Sequence, residues 1–292
     1  MNNKNMTALV SAFVRCYHYK NSNIKIYCDK YSEKIITKEE YNKIYQNMSQ
    51  GINFFNPNFV GNKDEAMKWI VNNQIGPSVL GRSAFNKRSL DIAIRINCKQ
   101  YLVYACGYDT SCIGQKIKCF EIDKSEMIKD KINRLKKSNI DTNNINFIEC
   151  DFTNKDWIKN ILKSSYDKTL ISFNSLLGIS YYLTKTEFKQ MITQISEIIC
   201  KGSSILFDYQ TCDKSNEIVI NKQLALEAKE KMKSKYTYQE IMKILADNNM
   251  EIYEYLNYHD ITNEFFYDYN TLNPNNKIIA PKGVAYILAV KK

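Results

Sequence analysis

The run Gln100 to Asp123, QYLVYACGYDTSCIGQKIKCFEID, restricts the possible folds more than any other stretch of this chain. Tyr101, Leu102, Val103 and Tyr104 form an apolar run that breaks at Ala105-Cys106-Gly107 and passes through the polar Tyr108-Asp109-Thr110. It resumes at Ile117 to Ile122 and ends on Asp123. Apolar runs of this length, punctuated by a glycine turn, describe two buried strands. Glycine lets the backbone approach a ligand, and an acid 16 residues further on, at the tip of the second strand, can accept hydrogen bonds from a ribose diol. The turn holds one glycine where a pyrophosphate site wants three, so a nucleoside without phosphates fits better. Taken alone, the stretch also reads as an ordinary strand-turn-strand with no ligand.

From residue 100 to 210 the pattern alternates. Helix Ser125 to Lys137, strand Asn146 to Cys150, helix Asp156 to Leu162 and strand Thr169 to Asn174 follow. A helix opened by the capping box at Thr184 to Glu187 then runs to Cys200, and the strand Ser204 to Tyr209 comes after Gly202. Strict alternation predicts parallel pairing with right-handed crossovers. Strands Glu251 to Tyr258 and Val284 to Val290, separated by a loop containing Asn and Pro, predict an antiparallel hairpin at the sheet edge. Ahead of the sheet, Met6, Leu9, Val10, Phe13, Val14 and Tyr17 form the stripe of an amphipathic helix. A second helical stretch falls near Lys38 to Met48 and a third at Asp64 to Asn73. Gly76-Pro77 punctuates, and Leu80-Gly81-Arg82-Ser83 leads into a helix over Phe85 to Ile96. Two units are expected: an N-terminal helical cap at 1–96, and an α/β domain at 97–292 with a lid insertion near 210–236.

Composition excludes several classes. No apolar run reaches the roughly 20 residues needed to span a bilayer, and the first twenty residues lack a signal-peptide pattern, so a cytoplasmic location is expected. The nine cysteines form no C-x-x-C pair and the two histidines, His18 and His259, stand apart from them, so no metal site is expected. The net charge of +10 comes from dispersed lysines and not from a block of like charge, which reads as a solvated surface and makes a nucleic-acid partner an unfavoured alternative.

Taken together, several stretches resemble the leucine carboxyl methyltransferase family, in its bacterial small-molecule branch. They are Pro77 with Leu80-Gly81-Arg82-Ser83, Gln100 to Thr110, Phe120-Glu121-Ile122-Asp123, Cys150-Asp151-Phe152, Leu177 to Thr184 and Phe207-Asp208-Tyr209, in the family's order. The resemblance implies a Rossmann-like class I methyltransferase fold, an α/β architecture with a mostly parallel seven-stranded sheet, an antiparallel edge hairpin and an N-terminal helical cap. It implies S-adenosyl-L-methionine as cofactor, with S-adenosyl-L-homocysteine as product.

The resemblance also assigns residues. Arg82 matches the arginine on the methionine carboxylate, the alternative being a structural salt bridge. Ala105 and Gly107 match the cofactor turn, Asp123 the ribose acid, and Asp151 with Phe152 the adenine pair; the two acids read alternatively as caps of the next helix. Asp109 is either a further cofactor contact or a satisfier of backbone donors. The stretch from Asn174 to Tyr182 matches the part facing the sulfonium, with Tyr181 and Tyr182 either orienting the acceptor or packing in the core. Arg15 is either a substrate contact or half of a surface ion pair. Two positions depart from the family: Ala105 replaces its first glycine, and Leu177 stands where the protein-methylating branch carries Glu. The implied reaction is methyl-ester formation on the carboxylate of a small molecule, polyketide-like or another secondary metabolite. A hydroxyl acceptor, an RNA methyltransferase and a non-catalytic cofactor-binding protein are the alternatives. Against the RNA reading, Asn174-Ser175-Leu176-Leu177 lacks the Pro-Pro-aromatic expected of a base-amine methylase.

Overall fold

The computed structural model describes residues 5–154, 156–213, 220, 222–223, 226 and 231–292. About half of the expected lid, at 210–236, therefore lies outside the described residues. Seven strands form one sheet in the order β3-β2-β1-β4-β5-β7-β6: β1 Gln100–Tyr104, β2 Lys118–Asp123, β3 Ile145–Glu149, β4 Ser172–Leu176, β5 Ser204–Gln210, β6 Met250–Leu256 and β7 Val284–Lys291. Strands β1 to β5 are parallel, and β7 runs antiparallel to both β5 and β6. The antiparallel hairpin expected at the edge is present, with β7 beside β5 and β6 outermost. Its connection carries two helices, Tyr258–Phe265 and Tyr267–Leu272, where an open loop was expected. Asn257 and Asp260 form a capping box that starts the first of them.

On one face of the sheet pack α1 (Met6–Asn21), α6 (Gly76–Arg95) and α7 (Ser125–Lys137). On the other lies the helix Lys185–Ile198, opened by the expected Thr184–Glu187 capping box. Gly76-Pro77 does not end a helix: Pro77 sits in the first turn of α6, where its missing N–H costs nothing. A π-helical turn, Val71–Ile75, joins α6 to the preceding Lys63–Ile70. Phe13 and Val14 of α1 and Leu80 and Phe85 of α6 belong to the same buried cluster as Tyr101, Val103 and Leu206 of the sheet. Each such side chain contributes about 1.5–3 kcal/mol on burial. The helical segment therefore shares one core with the sheet.

Register aligns the C-terminal ends of the parallel strands. Glu121, Val103, Ser175 and Leu206 form one transverse row across β2, β1, β4 and β5. Two residues further along, Asp123 ends β2 while Asp208 lies on β5 opposite Tyr286 of β7. Strand parity turns these side chains toward the face that carries α1 and α6.

Candidate active site

Past β1 the chain turns sharply. Ala105 has φ 52° and Gly107 φ 48°, both left-handed. Alanine pays a steric cost there that glycine does not, so the methyl group at the family's glycine position sits in strained backbone. The Gly107 N–H donates to Asp123 Oδ2 at 2.8 Å and the Lys124 N–H to Oδ1 at 2.7 Å. Burial pushes the Asp123 carboxyl pKa up, and these two N–H groups partly offset it. Asp123 makes no cap for α7, whose N-cap is Lys124 without a side-chain bond. Helix α1 lies directly on the turn: a Cβ at Gly107 would come within 3.1 Å of the Ala8 methyl.

Other predicted residues divide by environment. Asp109 accepts from the Ser111 N–H at 2.7 Å and from the Ser111 hydroxyl, the backbone-satisfying arrangement. Asp151 is exposed and accepts from the Thr153 N–H at 3.0 Å and its hydroxyl at 2.7 Å, bonds that lower its pKa. It caps no helix, because the next one starts after Trp157. Phe152 packs edge-on to Trp157 with centroids 5.1 Å apart, leaving the pair at the mouth of β3. Asn174 is fully buried inside β4. Its oxygen accepts from Tyr104 at 3.1 Å and its amide donates to Ser172 and to the Ser204 carbonyl at 3.0 and 3.1 Å, so the side chain ties β1, β4 and β5 together.

A second cluster forms beyond β4 and β5. Arg82 Nη1 donates to the Tyr181 hydroxyl at 2.9 Å and lies 3.5 Å from Asp208 Oδ2. The other Asp208 oxygen accepts from the Gly178 N–H at 2.6 Å, and the Asp208 carbonyl accepts from Ser180 at 2.7 Å. Burial opposes the Arg82 charge, yet Tyr181, Asp208 and Tyr286 outweigh it and hold its pKa above the ordinary value. Tyr182 stacks edge-on against Tyr181 at 4.8 Å. The Tyr181 carbonyl accepts from Lys233 and Ser234, which anchors the end of the 210–236 segment on this turn.

Arg15 corrects the expectation of a surface ion pair. It is 5% exposed, and its partner Asp29 2%. Nε donates to Asp29 at 2.8 Å and Nη2 to the Tyr108 carbonyl at 2.7 Å, while Thr110 donates to the other Asp29 oxygen at 2.7 Å. Burial disfavours the charge, but Asp29 and Asp109 hold the Arg15 pKa above its usual value. The segment around Asp29, which carries no sequence pattern, folds over α1 and covers the arginine.

The structure therefore brings Gly107, Ala105 and Asp123 together at one end of the sheet edge, and Arg82, Tyr181 and Asp208 at the other. These ends are three strand spacings apart, about 14 Å. Asp208 lies in the Phe207-Asp208-Tyr209 motif, to which the resemblance attaches no role; Tyr286 and Asp29 carry no sequence signal of function.

Comparison with known proteins decides the family. Residues 8–196 match the family described as leucine carboxyl methyltransferase. Over its whole length the chain is 31% identical to 99% of a Bacillus subtilis (strain 168) protein named "Putative S-adenosyl-L-methionine-dependent methyltransferase YktD". The chain belongs to the leucine carboxyl methyltransferase family. It is accordingly an S-adenosylmethionine-dependent methyltransferase. The fold agrees with a DUF574 family protein from Streptomyces avermitilis MA-4680 (TM-score 0.60, 13% identity, 96% of this chain and 97% of that one). It agrees too with the magnesium protoporphyrin IX methyltransferase of Synechocystis PCC 6803 solved with bound SAH (TM-score 0.50, 13% identity, 89% of this chain and all of that one). As a family member this chain needs a nucleoside cradle. The strained Ala105–Gly107 turn and the Asp123 carboxylate, fixed by two N–H groups and with acceptor capacity left for a diol, fit one.

Proposed function

We propose that this family member forms a methyl ester on the carboxylate of a small-molecule acceptor, with a secondary metabolite of polyketide type as the favoured class. The observation that carries the reading is the Arg82–Tyr181 hydrogen bond of 2.9 Å. It joins the arginine matched to the cofactor's carboxylate to the turn matched to the acceptor, so both ligands are held by one rigid unit. Asp123, Gly107 and Ala105 hold the nucleoside, Asp151 and Phe152 flank the adenine, and Asp109 supports the turn. In this reading Asn174 positions β4 from within the core. Arg15 fixes α1 on the cofactor turn in place of the substrate contact first expected.

S-adenosylmethionine, when bound, supplies an electrophilic methyl group on a positive sulfur. Held by Arg82, Asp123 and the Ala105–Gly107 turn, it would give that methyl to an acceptor carboxylate oxygen, the carbon–sulfur bond pair staying with sulfur and no proton needing to move. An acceptor acid is ionised near pH 7, so the protein's work is orientation and exclusion of water. A phenol would instead want a base. Neither histidine stands in the Arg82 cluster: His18 is bonded to Ser22 and the Ile26 N–H, and His259 stacks on Tyr258 at 3.9 Å. The pocket for the acceptor falls to 1–96 and the 210–236 segment, and the location to the cytoplasm. Among the described residues no helix is long and apolar enough to cross a membrane.

The test incubates the protein with methyl-labelled S-adenosylmethionine and an extract of the producing cells. Label released by mild base as volatile methanol supports the ester. Label that is stable to base on a small molecule moves the reading to a hydroxyl, and label lost to ribonuclease moves it to RNA.

A further inference from the structure

Tyr286, on β7, is 1% exposed, and its hydroxyl has no hydrogen-bond partner among the described residues. Its ring stacks on Phe85 with centroids 5.3 Å apart and planes 16° apart, a contact phenylalanine would make equally well. A buried hydroxyl without a partner is destabilising, so its presence calls for a use. The neighbourhood supplies one. Tyr286 pairs in register with Asp208, the carboxylate that meets Arg82. On the facing helix stands Gly81, beside Arg82, and a Cβ there would come within 2.8 Å of the Tyr286 oxygen. Glycine at 81 therefore keeps open the space the hydroxyl occupies. Burial and Asp208 raise the Tyr286 pKa well above the usual phenol range, with Arg82 pulling against them, so the hydroxyl stays protonated and remains a donor at neutral pH.

We infer that Tyr286 is a second donor of the cofactor's carboxylate subsite: its hydroxyl bonds the amino-acid carboxylate that Arg82 takes, while Gly81 provides the clearance. The inference rests on the reading of Arg82 as the carboxylate-binding arginine. A tyrosine hydroxyl adds direction to a guanidinium contact, because an O–H donor fixes one carboxylate oxygen where the guanidinium alone admits several poses. It would hold the methionine arm, and through it the reactive sulfur, in one orientation.

Calorimetric titration of wild type and Tyr286→Phe with two ligands tests this: S-adenosylhomocysteine, which has the carboxylate, and 5′-methylthioadenosine, which lacks the amino-acid arm. Loss of a hydrogen bond to a charged group is expected to weaken S-adenosylhomocysteine about tenfold or more, leaving methylthioadenosine within twofold. Gly81→Ala, which thrusts a methyl at the hydroxyl, is expected to give the same selective loss. Unchanged S-adenosylhomocysteine affinity in Tyr286→Phe, or parallel weakening of both ligands, overturns the inference. A wild-type protein that binds the two ligands equally overturns the Arg82 reading along with it. Selective loss in Arg82→Lys with none in Tyr286→Phe keeps the Arg82 reading and removes Tyr286.

Discussion

Asp123 and Asp208 stand at one level of the sheet, each two residues past the row that contains Glu121 and Leu206, and each accepts a backbone N–H from a glycine of a neighbouring turn. The two carboxylates thereby set the conformations of the turns after β1 and β4. Replacing Asp123 by Ala strands the Gly107 and Lys124 N–H groups and is expected to cost about 1–3 kcal/mol in urea unfolding. It should also weaken S-adenosylhomocysteine more than tenfold, whereas Asn, which keeps one acceptor, loses less. Tight binding retained by the Ala variant would remove Asp123 from the nucleoside site.

The buried Arg15–Asp29 pair predicts a large cost for removing either partner. Either single change, Arg15→Met or Asp29→Asn, leaves the partner's charge buried and is expected to destabilise by about 3–5 kcal/mol. Cofactor affinity should fall in parallel, since Arg15 also holds the Tyr108 carbonyl. A large rise in acceptor KM in Arg15→Lys with unchanged melting would return Arg15 to the substrate role.

Lys131 Nζ and Glu121 Oε2 meet 2.7 Å apart with both side chains fully buried between α7 and β2, though not aligned for a hydrogen bond. Lys131→Met alone should destabilise by about 3–5 kcal/mol, and the double change Glu121→Leu with Lys131→Met should recover most of that loss. A double variant as unstable as the single one would show that the pair does more than cancel charge.

His18 gives the pH dependence. Burial, assisted by Lys25, lowers its pKa from 6.5 to about 4, and the neutral ring accepts the Ile26 N–H at 2.9 Å. A depressed folded pKa means stability present above pH 6.5 and lost as pH falls toward 4, about 3 kcal/mol in all. Chemical denaturation across that window should therefore show a steeper decline in wild type than in His18→Gln. Identical slopes would exclude His18 as a contributor.

Which parts were legible follows from how local each signal is. Strand-turn-strand periodicity, glycine at 107 and the acid at 123 lie within one short stretch, so the two strands and the turn that Asp123 braces could be read directly. The capping box at Thr184 was equally local, and it occurs. The Asn257–Asp260 box was as visible but sat where the strand Glu251 to Tyr258 was expected to run into an open loop, and the helix it opens was missed. Long-range partnerships left no trace. Arg15 meets Asp29 because an unpatterned segment folds over α1. Tyr286 reaches Arg82's neighbourhood because β7 inserts next to β5 and not at the outer edge. Nor could Pro77 be told from a helix stop, since the same residue both ends and begins helices.

The inserted β7 has a consequence for how the protein is made. Strands β1 to β5 can pair as soon as they leave the ribosome, but Asp208 acquires its cross-strand neighbour Tyr286 only when β7 has been synthesised and has slotted between β5 and β6. Until then β5 offers an open edge, the site at which a nascent chain would add a strand from another molecule. Completion of the Arg82–Asp208–Tyr286 cluster and closure of that aggregation-prone edge are therefore a single late event.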